Sequence, residues 1–239
     1  MSVFAIGDLH LAGAIDKPMD IFGKHWENHW ARIQKDWEEK VSDQDIVLIP
    51  GDISWAMKLS DAKIDLDNIA ELPGKKILIK GNHDYWWSSV SKVRSILSPS
   101  VSVVQNDSVM ESGFIFCGTR GWINPGMKDF SQQDAKVYNR EVQRLKLSLD
   151  SAVSSQQARE GVEEGNILIA MLHYPPFDEK GQPTEIVNTL TQYKPAHVVY
   201  GHLHGEGSRI AFEGEYEGTE YHLVSCDYLD FKLKRIITI

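Results

Sequence analysis

Asp8, His10, Asp52, Asn82, His173, His202 and His204 are oxygen and nitrogen donors set in five short segments. The segments are Gly7-Asp8-Leu9-His10, Gly51-Asp52, Gly81-Asn82-His83-Asp84, His173-Tyr174-Pro175 and Gly201-His202-Leu203-His204. Carboxylates, imidazoles and an amide carbonyl suit divalent ions such as manganese, iron or zinc, rather than copper(I) or an iron–sulfur cluster. Asp8 and His10 are two apart, so in an extended segment they project to one side, and so do His202 and His204. Asp52 is a candidate bridge, because one carboxylate can join two cations about 3.5–4 Å apart. Two such cations would hold a hydroxide nucleophile and clamp a phosphoryl group for in-line attack.

Each segment closes an apolar run: VFAIGD, IVLIPGD, ILIKGNHD, ILIAMLHYP and VVYGHLH. Each run reads as a buried strand that delivers its donors at its carboxyl end. In an open α/β sheet those ends share one edge, and ligands bind there. The elements between support this. Strands are expected at 2–8, 45–52 and 75–82, with helices at 24–40, 60–72 and 88–97. The first helix carries Trp26, Trp30, Ile33 and Trp37 at helical spacing. Ser60 is the expected N-cap of the second, and Pro73-Gly74 its stop. This strand–helix–strand rhythm predicts parallel pairing. Val101–Gln105 and Val109–Thr119 then read as two strands around an antiparallel turn at Asn106-Asp107. A long helix over 131–158 buries Val142, Leu145, Leu149 and Val153. A strand at 167–174, a helix at 184–192 and a strand at 197–202 follow, then strands at 209–213, 220–226 and 231–237 around a Gly-rich turn at 214–218. The sum is a mixed α/β chain best built as two packed sheets flanked by helices.

The ordered blocks D-x-H, GD, GNHD, H and GHxH, spanning residues 8 to 204, resemble the metallophosphoesterases of the calcineurin-like superfamily, notably its small bacterial phosphohydrolases. The resemblance implies a single domain over 1–239, a four-layer α-β-β-α sandwich with two mixed sheets. It implies two divalent ions, manganese before iron or zinc. The first ion would take Asp8, His10, Asp52 and His204, and the second Asp52, Asn82, His173 and His202. His83 matches the histidine that contacts phosphate and is proposed to protonate the leaving oxygen. Asp84, adjacent in an extended segment, points the other way and would hold the loop or a ligand histidine.

The chain departs from one branch of the superfamily. Where protein serine/threonine phosphatases carry GDxxDRG, this sequence has Gly51-Asp52-Ile53-Ser54-Trp55-Ala56-Met57. Trp55 and Ala56 replace the Asp that partners the catalytic histidine and an Arg that grips phosphate. Arg120, in a loop after an apolar strand, is a candidate replacement, since a guanidinium binds phosphate bidentately. Its alternative is an ordinary ion pair. Trp55, Tyr85, Trp86, Trp87 and Trp122 adjoin the site segments, where they would line an apolar wall for the substrate or pack the loops on the core. His25, His29, His197 and His222 read as structural.

Composition narrows the partners. A net charge of −9 disfavours a duplex-coating protein or a membrane-surface binder. The expected substrate is a small or medium phosphate ester and the expected reaction phosphodiester hydrolysis. Phosphomonoesterase or nucleotide pyrophosphohydrolase activity is the alternative, and a nuclease or a silent scaffold comes behind both. No bilayer-length apolar run or basic leader is visible, so a cytoplasmic location is the expectation. Cys117 and Cys226 fit buried thiols in a reducing compartment. Oligomeric state leaves no mark in the sequence.

Overall fold

The computed structural model describes residues 1–127, 130–157 and 166–239. Position 158, the expected end of the long helix, lies outside them. The chain divides into two compact units, Met1–Val103 with Val224–Ile239, and Val104–Leu223.

The first unit is built on Ser2–Ala5 (β1), Ile46–Ile49 (β2), Lys75–Leu78 (β3), Val101–Val103 (β4) and Lys234–Thr238 (β11), in the order β11-β1-β2-β3-β4. β1 to β4 are parallel and β11 joins antiparallel. The crossovers are His29–Lys40 (α1), Leu59–Glu71 (α2) and Val90–Arg94 (α3). β2 is buried along its whole length, as a central parallel strand must be, which explains the unbroken apolar run IVLI. Phe4, Val47, Ile49 and Leu78 pack with Ile33 and Trp37 of α1 and Leu66 and Ile69 of α2 in one core.

The second unit holds Val109–Glu111 (β5), Phe114–Thr119 (β6), Ile167–Leu172 (β7), His197–Tyr200 (β8), Gly214–Tyr216 (β9) and Thr219–Leu223 (β10), in the order β5-β6-β7-β8-β10-β9. β6, β7, β8 and β10 are parallel neighbours, with β5 and β9 antiparallel at the edges. Gln132–Gln157 (α4) and Glu185–Tyr193 (α5) cover one face. Tyr138, Val142, Leu145 and Leu149 of α4 meet Ile186 and Leu190 of α5 over Ile115, Ala170 and Val198. Both units are thus mixed sheets carrying helices, the α/β class expected from the sequence.

Several boundaries differ for local reasons. The first helix begins at His29, because Asn28 adopts a left-handed backbone and confines Trp26 to a preceding 3-10 turn. Ser60 lies inside α2 and bonds Asp61, while Lys58 takes the cap position. Residues 101–105 and 109–119 do not pair around Asn106-Asp107. β4 joins the first sheet beside β3, and the antiparallel turn is instead at Ser112-Gly113, both with positive φ. Those two left-handed residues suit a tight hairpin turn, and the Ser-Gly pair was its signal. Residues 205–210 form a 3-10 helix rather than leading into a strand at 209–213. The Gly-rich stretch opens as β9, whose turn to β10 is Glu217-Gly218. No helix among the described residues is long and apolar enough to cross a membrane.

Helix α4 offers a direct check on its buried face. Leu145 is fully buried, whereas Leu147 on the same helix is 55% exposed. Leu145→Ala is expected to cost about 2–5 kcal/mol, and Leu147→Ala no more than about 0.5 kcal/mol, in urea unfolding. Equal losses would place the helix in another rotation.

Candidate metal centre

In the first unit the site begins where β1 and β2 end. Their pairing continues past the strands: Asp8 N–H donates to Gly51 O (3.0 Å), His10 N–H to Asp52 O (3.0 Å) and Leu11 N–H to Ile53 O (2.9 Å). Asp8, His10 and Asp52 all have positive φ, 57°, 48° and 51°. Left-handed backbone is uncommon for residues bearing Cβ, and it turns these side chains out of the strand alternation. Asp8, His10 and Asp52 are nonetheless buried. Asp8 offers a carboxylate oxygen within 4.8 Å of donor atoms on both His10 and Asp52. His10 Nε2 lies 3.9 Å from Asp52 Oδ2.

Asp52 Oδ1 accepts the backbone N–H of His83 at 2.8 Å, which seats the Asn82-His83 turn against it. This approach requires glycine at 81: a Cβ there would stand 2.1 Å from Asp52 Oδ1 and 2.2 Å from Asp52 N. The His83 ring is 4.7 Å from that of Trp55 and 5.8 Å from that of His10, centroid to centroid. Trp55 stacks on His10 at 4.6 Å, carries Lys17 Nζ 3.0 Å from its ring centre and donates to Met19 Sδ. It therefore packs against both histidines. Trp86 and Trp87 are buried in the core and form no wall, while Tyr85 is exposed.

Asp84 is fully buried and its carboxylate is the knot of this half. It accepts N–H groups from Ile53 (2.9 Å), Ser54 (3.2 Å), Gly81 (2.8 Å) and the Trp86 indole (3.1 Å). Burial, with the charge of Asp52, pushes its carboxyl up to about 6. Asp65 of α2 performs a similar service, accepting from Ser54 Oγ and from Gly13 N–H (2.9 Å). The sequence reading missed Asp65. Its signal was an acid at the centre of the buried stripe Ala62, Leu66 and Ile69. His29 bonds Leu9 O through Nε2 at 3.0 Å, and the Cys226 thiol donates to Asp8 O at 3.0 Å.

The second unit presents its own set. Arg120 O accepts the N–H groups of His173 (3.0 Å) and Tyr174 (2.9 Å), so the loop after β6 fixes the end of β7. The His173 and His202 rings are 5.1 Å apart, and Tyr174 lies 4.0 Å from His202. His202, like the donors of the first unit, has positive φ, 73°. His173 is buried, and His202 and His204 are half-buried. The Arg120 guanidinium is 3.3 Å from Glu141 Oε1 and lies over Trp122 at 4.5 Å. Glu141 also accepts from Thr119 Oγ1 at 2.6 Å and pairs with Arg144 at 2.6 Å. An apolar cleft beside His202 is lined by Trp122, Tyr174, Phe177, Leu203 and Ile210.

The donor chemistry fits divalent cations. Carboxylates buried side by side with an imidazole are costly unless positive charge offsets them, and a bound ion supplies that charge. The comparisons agree. The model of the calcineurin-like phosphoesterase family matches residues 1–206, and the chain belongs to that family. It is accordingly a metal-dependent phosphoesterase, of a family that typically binds two divalent metals. Among solved structures, phosphopantetheinyl hydrolase from Mycobacterium tuberculosis is similar at 15% identity and a TM-score of 0.54, over 100% of this chain and 96% of that one. A protein of unknown function from Aquifex aeolicus is similar at 14% identity and a TM-score of 0.51, over 98% of this chain and 95% of that one. These likenesses support the metallophosphoesterase fold. No curated protein matches the chain.

The contact between Gly81 and Asp52 is open to test. Gly81→Ala should displace the Asp52 carboxylate, lower manganese occupancy and cost about 1–3 kcal/mol of stability, the usual range for overpacking. Unchanged occupancy by elemental analysis would show that the loop yields without moving Asp52.

Proposed function

We propose that this phosphoesterase hydrolyses phosphodiesters of small or medium size, with two divalent ions held by Asp8, His10, Asp52, Asn82, His173, His202 and His204. The observation that carries this reading is the buried convergence of Asp8, His10 and Asp52. Following the family pattern, Asp52 serves both ions, Asp8, His10 and His204 complete the first, and Asn82, His173 and His202 complete the second. Manganese is the expected ion, with iron or zinc able to substitute. When bound, the ions supply Lewis acidity and lower the pKa of water.

The remaining work falls to the chain. His83 holds a proton for the leaving oxygen. The bond from its backbone N–H to Asp52 seats the residue, and the packing of its ring on Trp55 supports that placement. Trp55 is a positioning residue here, standing where the protein phosphatases carry an Asp. Asp84 maintains the loops and stays away from the phosphate. The sequence lacks the second-block Arg of the protein phosphatases, and Arg120 shares its charge with Glu141 through one contact of 3.3 Å. Both features weaken the grip on a dianionic monoester and favour a diester, which carries one charge fewer. The apolar cleft at Trp122 and Tyr174 suits the second ester arm. The net charge of −9 favours a small ester over nucleic acid.

Activity should vanish with EDTA and return with Mn²⁺. His83→Ala should keep its manganese yet lose about 10²- to 10⁴-fold in kcat, the weight of general acid catalysis. The loss should shrink for nitrophenyl esters, whose leaving group needs no proton. Equal losses for good and poor leaving groups would remove His83 from the acid role.

A panel of matched aryl diesters and monoesters, nucleotide pyrophosphates and a phosphopantetheinyl ester, the last suggested by the name of the mycobacterial neighbour, tests the substrate class. The expected kcat/KM for diesters equals or exceeds that for monoesters. A monoester preference that collapses in Arg120→Ala would instead make Arg120 the phosphate clamp.

A further inference from the structure

A second group of donors lies at the other end of the second sheet. His197 is the first residue of β8, and Glu220 and His222 lie on its parallel neighbour β10. His197 pairs directly with Glu220, and His222 is two residues further, so all three side chains leave the same face. Their donor atoms lie within 4.8 Å of one another. His197 Nδ1 is 3.1 Å from His222 Nε2 and 3.7 Å from Glu220 Oε2. A tetrahedral zinc ion with bonds near 2.1 Å has donor-to-donor edges of about 3.4 Å. The two observed separations bracket that edge, both measured from the same His197 atom. The burial also suits an ion. The His222 side chain is buried, that of His197 nearly so, and that of Glu220 is 54% exposed, which leaves one side open to water.

We propose that His197, Glu220 and His222 form a further metal site, which takes a borderline divalent ion such as zinc with water as a fourth ligand. Two imidazoles and a carboxylate are a donor set zinc accepts. The site is distinct from the family's centre. His197 begins β8, whereas His202 follows its end, about 16 Å away at the rise of an extended strand. An ion there would fasten β8 to β10, the one pair of adjacent parallel strands in this sheet joined through β9. It would act on stability rather than on the reaction.

The test uses the full chain loaded with Zn²⁺, dialysed and analysed for ions per chain, and loaded with Co²⁺ for its visible absorption. Glu220→Gln and His197→Ala are each expected to bind one ion fewer than the wild type, to lose part of the tetrahedral Co²⁺ absorption and to keep phosphoesterase activity. Asp52→Asn should retain an ion that Asp52→Asn with Glu220→Gln lacks. Glu220 is largely exposed, so its variant decides the matter if His197→Ala fails to fold. Unchanged stoichiometry in Glu220→Gln, or no retained ion in Asp52→Asn, overturns the proposal.

Discussion

A fully buried carboxylate, Asp84, holds together the loops that carry Asp52, Asn82 and His83. Its two oxygens collect N–H groups from the turn after β2 and the turn after β3, with the Trp86 indole as a further donor. An anion this deep is tolerable only when its acceptor capacity is filled. Asp52 leaves from one of these turns, and Asn82 and His83 leave from the other. Their mutual placement therefore depends on a residue with no assigned part in the chemistry. Asp65 extends the same device to the loop at Gly13.

The backbone at the strand tips is strained where the donors sit. Asp8, His10, Asp52 and His202 take left-handed conformations that glycine would adopt more easily. Glycine has no donor, so the side chain has to remain and the fold must hold the strained backbone. The parallel bonds between residues 8–11 and 51–53 do this in the first unit. Glycine appears instead at Gly81, where the demand is close approach and a side chain would collide with Asp52.

Trp55 changes the character of this site within its family. Protein serine/threonine phosphatases use an Asp at that position to partner the histidine. Here an indole packs against His10 and His83 and is itself fixed by Lys17 and Met19. An aromatic face restrains the rings by contact and adds no negative charge beside them. Arg120 is likewise restrained, by Glu141 and Trp122.

The strands and their terminal donors were legible in the sequence because a buried parallel strand is an unbroken apolar run, and the polar residue that ends it stands out. The same holds for α4, whose stripe of Val142, Leu145 and Leu149 is periodic. The exchange between sheets was not legible. Val101–Val103 and Val109–Glu111 have similar β character, and only the partner strands decide that one extends the first sheet and the other folds back on β6. Glu141 and the cluster of His197, Glu220 and His222 were also invisible. Each owes its role to neighbours remote in sequence, brought together by register and burial, and neither leaves a local pattern. Sequence alone determined which donors the chain possesses and on which strands they ride. Tertiary structure decided which side chains meet, because hydrogen bonds and packing act across space between residues that the chain keeps far apart.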